Sequence, residues 1–503
     1  MKKKDIRILQ KRKHRLQKRL ERRQWSEQSK PMLRAQNIHY EMADRVSAID
    51  SGGIGAFHLL AKNSGLIEAI NQRISLLKRH LPYHESDHVL NIAYNTLAGG
   101  SCLDDIELRR NNEAYMDALG ADRIPDPTTA GDFTRRFSEA EVDELMEAIN
   151  SIRPSIWKKQ LSRSERAEAL IDVDGTVAPT TGECKEGMGL SYKGIWGYHP
   201  LLISLANTLE PLYLVNRSGN STSHQGAVAW IDRAVALVRR SFERVCLRGD
   251  TDFALTTQFD RWSAEGVRFA FGMDAMQNLV KRAESLDHRC WRVLKRRDKR
   301  TVRSRRRKRP ANIKEQIVVE RGYRNIKLEQ EHVAEFSYQP SKCKNSYRVI
   351  VLRKNLSVEK GQLRLWKDIR YFFYITNIPE LSPAAVVSLC NDRCNQENLI
   401  EQLKNGLNAM RMPVNDLVSN WSYMVMASLA WTLKAWFALL VRHQDRRTEL
   451  LRMEFRRFLN AIIRLPAQII TAGRRIIYRI LGYNDWVQTF LKTFDTIRRL
   501  RLA

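Results

Sequence analysis

The sequence predicts a mixed α/β core that is flanked by helical regions and interrupted by a β-rich insertion. Three observations predict it. First, between residues 166 and 275, EALIDVDGTV, HPLLISLANT, PLYLVNR, RVCLRGD and RFAFGMD are apolar, β-branched runs separated by turn residues, which is strand patterning. Second, a helical stripe at Val228, Ile231, Val235 and Val238 falls among them, so strands and helices alternate as in an α/β sheet. Third, EQIVVERGY, HVAEFSYQP, SYRVIVLRK and IRYFFYITNI form a second group of strand-like runs before the chain turns helical again.

In chain order, residues 1–35 form a basic arm, with 13 Lys or Arg in the first 30 positions against three acids. Residues 36–165 read as a helical, DNA-binding region. Ser86-Asp87 caps HVLNIAYNTLAGG, Leu103 to Leu119 is amphipathic, and Thr128 or Thr129 caps AGDFTRRF after the break Pro125-Asp126-Pro127. That last short helix carries Arg135 and Arg136 and has the form of a groove reader, though an ordinary bundle helix has the same pattern. Residues 166–275 are the first part of the core. Residues 276–380 are the insertion, entered through a run from Lys281 to Pro310 holding 15 Lys or Arg against three acids. Residues 381–503 read as helical, including the Arg-rich RLPAQIITAGRRIIYRIL.

Charge narrows the partner. Lys plus Arg number 85 and Asp plus Glu 56, a net charge of +29, which favours a polyanion and above all nucleic acid. A hydrophobic content of 43% excludes a wholly disordered chain. The seven cysteines are scattered, which excludes a disulfide scaffold and fits a reducing cytosol. Cys390 and Cys394 are four apart, but no second pair completes a zinc site. The basic N-terminus is not followed by an apolar signal segment. Tyr423 to Val441 has the length of a membrane span, yet Lys434 lies inside it. An all-round apolar helix also suits the core of a large protein, so no membrane partner is expected.

The chemistry-bearing residues are carboxylates. Asp172 and Asp174 lie two apart in one strand and so share a face, and burying two acids among Val and Ile is costly without a partner. Asp250 ends the strand RVCLRGD, at the sheet edge where α/β sites collect. Glu397 lies on the helix SPAAVVSLCNDRCNQENLIEQLKNG with Arg393 four before it and Lys404 seven after, so all three share a helix face. Oxygen ligands from three acids suit Mg²⁺, and two such ions can hold both oxygens of an in-line phosphoryl displacement.

These residues resemble the DDE transposases of bacterial insertion sequences, in particular the insertion sequence 1380 family. The similarity rests on IDVDGT-x5-G, YKGIWGYHPLLISL, NRSGNSTSHQGA, LRGDTDF and the Arg393–Glu397–Lys404 spacing. Upstream SDHVLNIAYNTLAGG, LDDIELRRN and PDPTTAGDFTRRF, and downstream PAQIITAGRR, extend it over roughly residues 38–480. The resemblance implies a ribonuclease-H-like core with a β-rich insertion between the second Asp and the Glu, an interval of 397 − 250 = 147 residues here. It implies Asp174, Asp250 and Glu397 as catalytic metal ligands for two Mg²⁺, with Mn²⁺ as a substitute, and Arg393 and Lys404 as contacts to the DNA backbone. It also implies double-stranded DNA as partner, both terminal inverted repeats and target, at least a homodimer in the synaptic complex, and a bacterial cytoplasmic, nucleoid-associated location. Two positions depart from the pattern: Cys390 stands where the signature has Tyr, and Asp252 where a small residue is usual. Asp172 competes with Asp174 for the first ligand position. From the charge, Arg303, Arg305, Arg306, Arg307 and Arg309 are read as a grip on DNA phosphates, and Trp291 as either a base-stacking residue or core packing. The rival readings are a Mg²⁺-dependent nuclease without strand transfer and a non-catalytic DNA-binding relative.

Overall fold

A computed structural model describes residues 3–20, 32–33, 35, 37–44, 46–182, 184–191, 193–295, 324–360 and 363–501. In chain order the strands are β1 (Ala48–Ile49), β2 (Glu168–Gly175), β3 (Ala178–Pro179), β4 (Gly189–Leu190) and β5 (Trp196–Tyr198). They continue with β6 (Leu201–Leu205), β7 (Glu210–Val215), β8 (Arg244–Gly249), β9 (Val267–Met273) and β10 (Arg292–Val293). The last five are β11 (Arg324–Tyr338), β12 (Tyr347–Lys360), β13 (Leu363–Thr376), β14 (Ala467–Ala472) and β15 (Arg475–Ile480).

Nine of these strands form one mixed sheet, in the order β10-β11-β12-β13-β9-β8-β2-β6-β7. β2, β8 and β9 run parallel, β6 lies antiparallel beside β2, and β7 lies antiparallel beside β6. Every residue of β6 and β7 is buried, which is why these strands read as unbroken apolar runs. Helix Ala227–Arg239 packs on β2, β6 and β8 through the apolar stripe seen in the sequence. The insertion strands do not make a separate layer. β13 pairs with β9 over Phe373 to Thr376, so the insertion lengthens the core sheet on one edge.

Helices surround this sheet. Leu417–Leu439, the apparent membrane candidate, is buried nearly end to end against helices Glu85–Leu97 and Glu139–Gln160 and against β7. Its Lys434 is buried too. Its ammonium donates to Leu451 O at 2.9 Å and lies 3.7 Å from the centre of the Trp431 ring, and burial drives its pKa well below the ordinary value. Among the described residues, no helix is long and apolar enough to cross a membrane. Glu210 at the start of β7 joins the layers: it pairs with Arg153 and accepts from Trp157 Nε1 and Trp436 Nε1, both at 2.8 Å. This buried charge keeps its partners, and removing one costs about 3–5 kcal/mol.

The structure corrects four local readings. RLPAQIITAGRRIIYRIL is not helical: β14 and β15 form a hairpin whose turn holds Gly473 at φ +57°. Its paired β-branched Ile residues override the Arg-rich composition. Asp126, not a threonine, caps helix Pro127–Thr134, its carboxylate accepting from Thr129 N at 2.8 Å with Pro127 at the first helical position. His84 rather than Ser86 precedes helix Glu85–Leu97. Leu103 to Leu119 divides into helices Ile106–Arg110 and Glu113–Leu119, the second capped by Asn112.

Candidate active site

The open ends of β2 and β8 place the acids. The strands are in parallel register, with Asp172 opposite Arg248 as the last registered pair. Asp174 and Asp250 lie two residues further on, past that rung. Asp250 caps a short turn, Thr251–Phe253, its Oδ1 accepting from Asp252 N at 3.1 Å. A side chain at Gly249 would meet Phe253 Cβ at 2.8 Å, so the glycine lets this turn fold tightly and aim Asp250.

The 382–406 segment crosses these strand ends, but not as one helix. Helix Pro383–Asn391 ends, and Cys394–Glu401 starts anew with Arg393 at its N-terminal cap. A π-helical turn, Gln402–Gly406, follows and carries Lys404. The π-helical turn alters the plus-seven offset of Lys404, while Arg393, at the N-terminal cap with helical φ and ψ, stays one turn before Glu397. From there its guanidinium reaches the acids at both strand ends. Its Nη1 is 3.4 Å from Asp174 Oδ2 and its Nη2 3.8 Å from Asp250 Oδ2. Lys404 Nζ donates to Val177 O at 2.5 Å, just beyond β2. Burial lowers the Lys404 pKa, Glu401 and Asp174 counter it, and Lys193 adds to it.

Burial pushes Asp174 up to about 7; Arg393 pulls it back, while Asp250 and Glu397 push it further. Asp250 is raised as well, first by burial and then by Asp252, against Arg393. The structure therefore brings Asp174, Asp250 and Arg393 together and sets Glu397, which is exposed, within electrostatic reach. Partly desolvated acids crowding one another are the setting that a hard divalent cation relieves, and their all-oxygen donors suit Mg²⁺. The three carboxylates do not close into a tight cluster. Among the described residues, the group of His, Cys, Asp or Glu ligand atoms lying within 4.8 Å of one another is His80, His84 and Glu85. There Glu85 is engaged in holding a loop, accepting from Leu76 N, Leu77 N and His80 Nε2.

Asp172 is differently placed. Arg248 Nε and Nη2 hold its two oxygens at 2.6 and 2.8 Å. Cys390, at the signature tyrosine position, packs with Val386 and Val387, and burial raises its thiol to about 12. Arg353 covers the face of Trp291 at 4.2 Å, and Tyr371 lies beside it, which favours packing over base stacking. Arg303, Arg305, Arg306, Arg307 and Arg309 lie outside the described residues, as does the strand-like run EQIVVERGY at 315–323.

Two residues of the site were not singled out from sequence, although both lie in motifs that carry the resemblance. His199 Nδ1 sits 2.7 Å from Ser221 O, and its Nε2 is 3.0 Å from where a side chain at Gly175 would begin. Arg217 donates to the carbonyls of His199, Ser223 and Gln225, and burial lowers its pKa to about 10. Only the tertiary approach of residues 199 and 217 to Gly175 identifies them.

A family model described as transposase DDE domain group 1 matches residues 38–502. No curated protein matches the chain. Among solved structures the chain is similar to a piggyBac transposase in a synaptic complex with hairpin DNA. The TM-score is 0.38 and the identity 9%, over 83% of this chain and 84% of that one.

Proposed function

The chain belongs to the transposase DDE domain group 1 family, and from that premise we propose that it is the transposase of a bacterial insertion sequence of the 1380 family, cleaving the element's ends and joining them to target DNA. The observation that carries this reading is the convergence of Asp174 and Asp250, from two parallel strand ends, on Arg393 one turn before Glu397. On this reading β2, β6, β7, β8 and β9 belong to a ribonuclease-H-like core. The division at residues 35, 165, 275 and 380 marks a basic arm, a helical DNA-binding region, the core, its insertion and the C-terminal helical region. The protein works on double-stranded DNA in the bacterial cytoplasm, beside the nucleoid, as a homodimer or larger synaptic assembly.

Asp174, Asp250 and Glu397 would hold two Mg²⁺, or Mn²⁺ in their place, whose bound charge would activate water and steady the leaving oxygen. The protein's own groups do the rest. Arg393 is set to exchange its carboxylate contacts for scissile-phosphate oxygens, which its planar fork can engage two at a time. Lys404 adds a point charge beside β2. Water attacks the phosphorus and the P–O3′ bond breaks, leaving a 3′-hydroxyl and a 5′-phosphate. That hydroxyl then attacks a target phosphorus in the same site, forming a new P–O3′ bond as the target's own P–O3′ bond breaks and releases a target 3′-hydroxyl.

The test supplies the purified chain and Mg²⁺ with DNA ends taken from either side of its reading frame. Nicking that leaves a 3′-hydroxyl, followed by joining of a pre-cleaved end to target, is expected. Cleavage without joining would leave the nuclease reading instead. Neutralising Arg303, Arg305, Arg306, Arg307 and Arg309 should weaken DNA binding and flatten its salt dependence, by about 0.9 in log–log slope per lost phosphate contact. An unchanged slope would remove this segment from the DNA interface.

A further inference from the structure

We propose that the buried Asp172–Arg248 pair is a positioning device, which fixes the spacing of Asp174 and Asp250 and ties both strands to the segment carrying Arg393 and Glu397. The inference rests on the reading of those three acids as the catalytic set.

Asp172 lies two residues before Asp174 on the same face of β2, and Arg248 lies two residues before Asp250, which directly follows the end of β8. The pair is also the last registered rung between β2 and β8. Beyond it no parallel pairing holds these strands at a set distance, and there the two acids project. A side-chain clamp at the final rung supplies what the backbone ladder stops supplying. The clamp is bidentate, at 2.6 and 2.8 Å, and its side chains are 1% and 2% exposed.

Arg248 reaches a third element. Its Nη1 donates at 2.9 Å to Leu389 O, in the last turn of helix Pro383–Asn391. Four residues later stands Arg393, and four after that Glu397. One guanidinium thus references both strands and the crossing segment to a common point. Functional groups need placement to within about 0.5 Å, and partners behind them set that precision. Asp172, with both oxygens engaged, orients the site without belonging to its ligands.

The experiment uses the full-length chain, with Mn²⁺ as probe, in isothermal titration calorimetry and in single-turnover cleavage of pre-bound end DNA. Arg248→Met should weaken Mn²⁺ binding about tenfold or more, the usual cost of removing a group that orients ligands. Were Asp172 itself a ligand, the same change would free it and tighten binding, which overturns the proposal. Asp172→Leu with Arg248→Met removes the pair without stranding a charge, so folding should be kept even if the single variants unfold. The double variant should melt near the wild type yet bind Mn²⁺ and cleave about tenfold less well. Recovery of both activities in it would reduce the pair to packing and sink the inference. Arg248→Lys should give an intermediate defect, because it keeps the charge but cannot reach Asp172 and Leu389 together. If the wild type binds DNA but neither binds Mn²⁺ nor cleaves, the catalytic reading and this inference fail together. A responsive wild type beside a wild-type-like double variant defeats this inference alone.

Discussion

Two acid–arginine groupings stand at the ends of the same two strands, their acids two residues apart on β2, and they are built to opposite standards. Asp172 and Arg248 meet at 2.6 and 2.8 Å, with 1–2% of each side chain exposed. Asp174 and Asp250 meet Arg393 at 3.4 and 3.8 Å, with side-chain exposures of 15%, 38% and 16%. A bidentate buried pair is costly to open, because either partner alone would be a stranded charge. Longer single contacts shared between two acids are weaker and easier to exchange than a bidentate pair. The difference teaches that tightness marks what must stay fixed, and looseness marks what must let go to receive phosphate and metal.

The strongest blow to that contrast would come from the loose side. Asp174→Ala, Asp250→Ala and Glu397→Ala should each reduce end cleavage by at least about 100-fold, with end binding largely intact. Efficient cleavage by Asp174→Ala beside a dead Asp172→Ala would reverse the assignment of the two groupings. Next comes Arg393→Lys, which keeps the charge but loses the fork. Charge-assisted contacts are worth about 1.5–3 kcal/mol, so single-turnover cleavage should fall roughly tenfold to a hundredfold at unchanged DNA affinity. A wild-type rate with saturating protein would confine Arg393 to holding its neighbouring acids.

A third test reads the loose acid through pH. Burial pushes the Asp174 carboxyl up to about 7 in the folded chain, well above its ordinary value of 3.8. A raised folded pKa favours folding at low pH, and that contribution is lost as pH rises from about 4 through 7. In EDTA, Asp174→Asn should therefore nearly match the wild type near pH 3.5 and exceed its stability at pH 8 by up to about 4 kcal/mol. Urea unfolding at both pH values measures this, and a pH-independent difference would contradict it. The smallest effect belongs to Lys404→Arg, less than about tenfold on cleavage, since a point charge replaces readily and its carbonyl contact can be remade.

Much of the sheet is legible in the sequence, because β2, β6, β7, β8 and β9 are buried and their composition is correspondingly apolar. The hairpin β14–β15, which forms a separate small sheet with β1, is not, because its arginines hide the pairing of its isoleucines. Asp174 and Asp250 were identifiable as strand-end acids. Their distinction from Asp172 was not, since strand alternation puts residues 172 and 174 on one face and only the partner across the sheet separates them. Spacing alone put Arg393 one turn before Glu397, where it stands. The π-helical turn at Gln402–Gly406, which alters the offset of Lys404, has no plain sequence signal.

Helix Leu417–Leu439 has a consequence for the order of events during synthesis. It packs between the early helices and β7, with Trp421 Nε1 donating to Leu214 O and Trp431 Nε1 to Leu209 O, both at 2.6 Å. The first 400 residues therefore leave the ribosome with the seat of this helix open, waiting for a segment far away in the chain. Such distant pairings form slowly, and the N-terminal part must wait for them. Assembly of the site is in effect gated by chain completion: an interrupted translation product would carry both aspartates yet lack the helix that consolidates the layers beneath them.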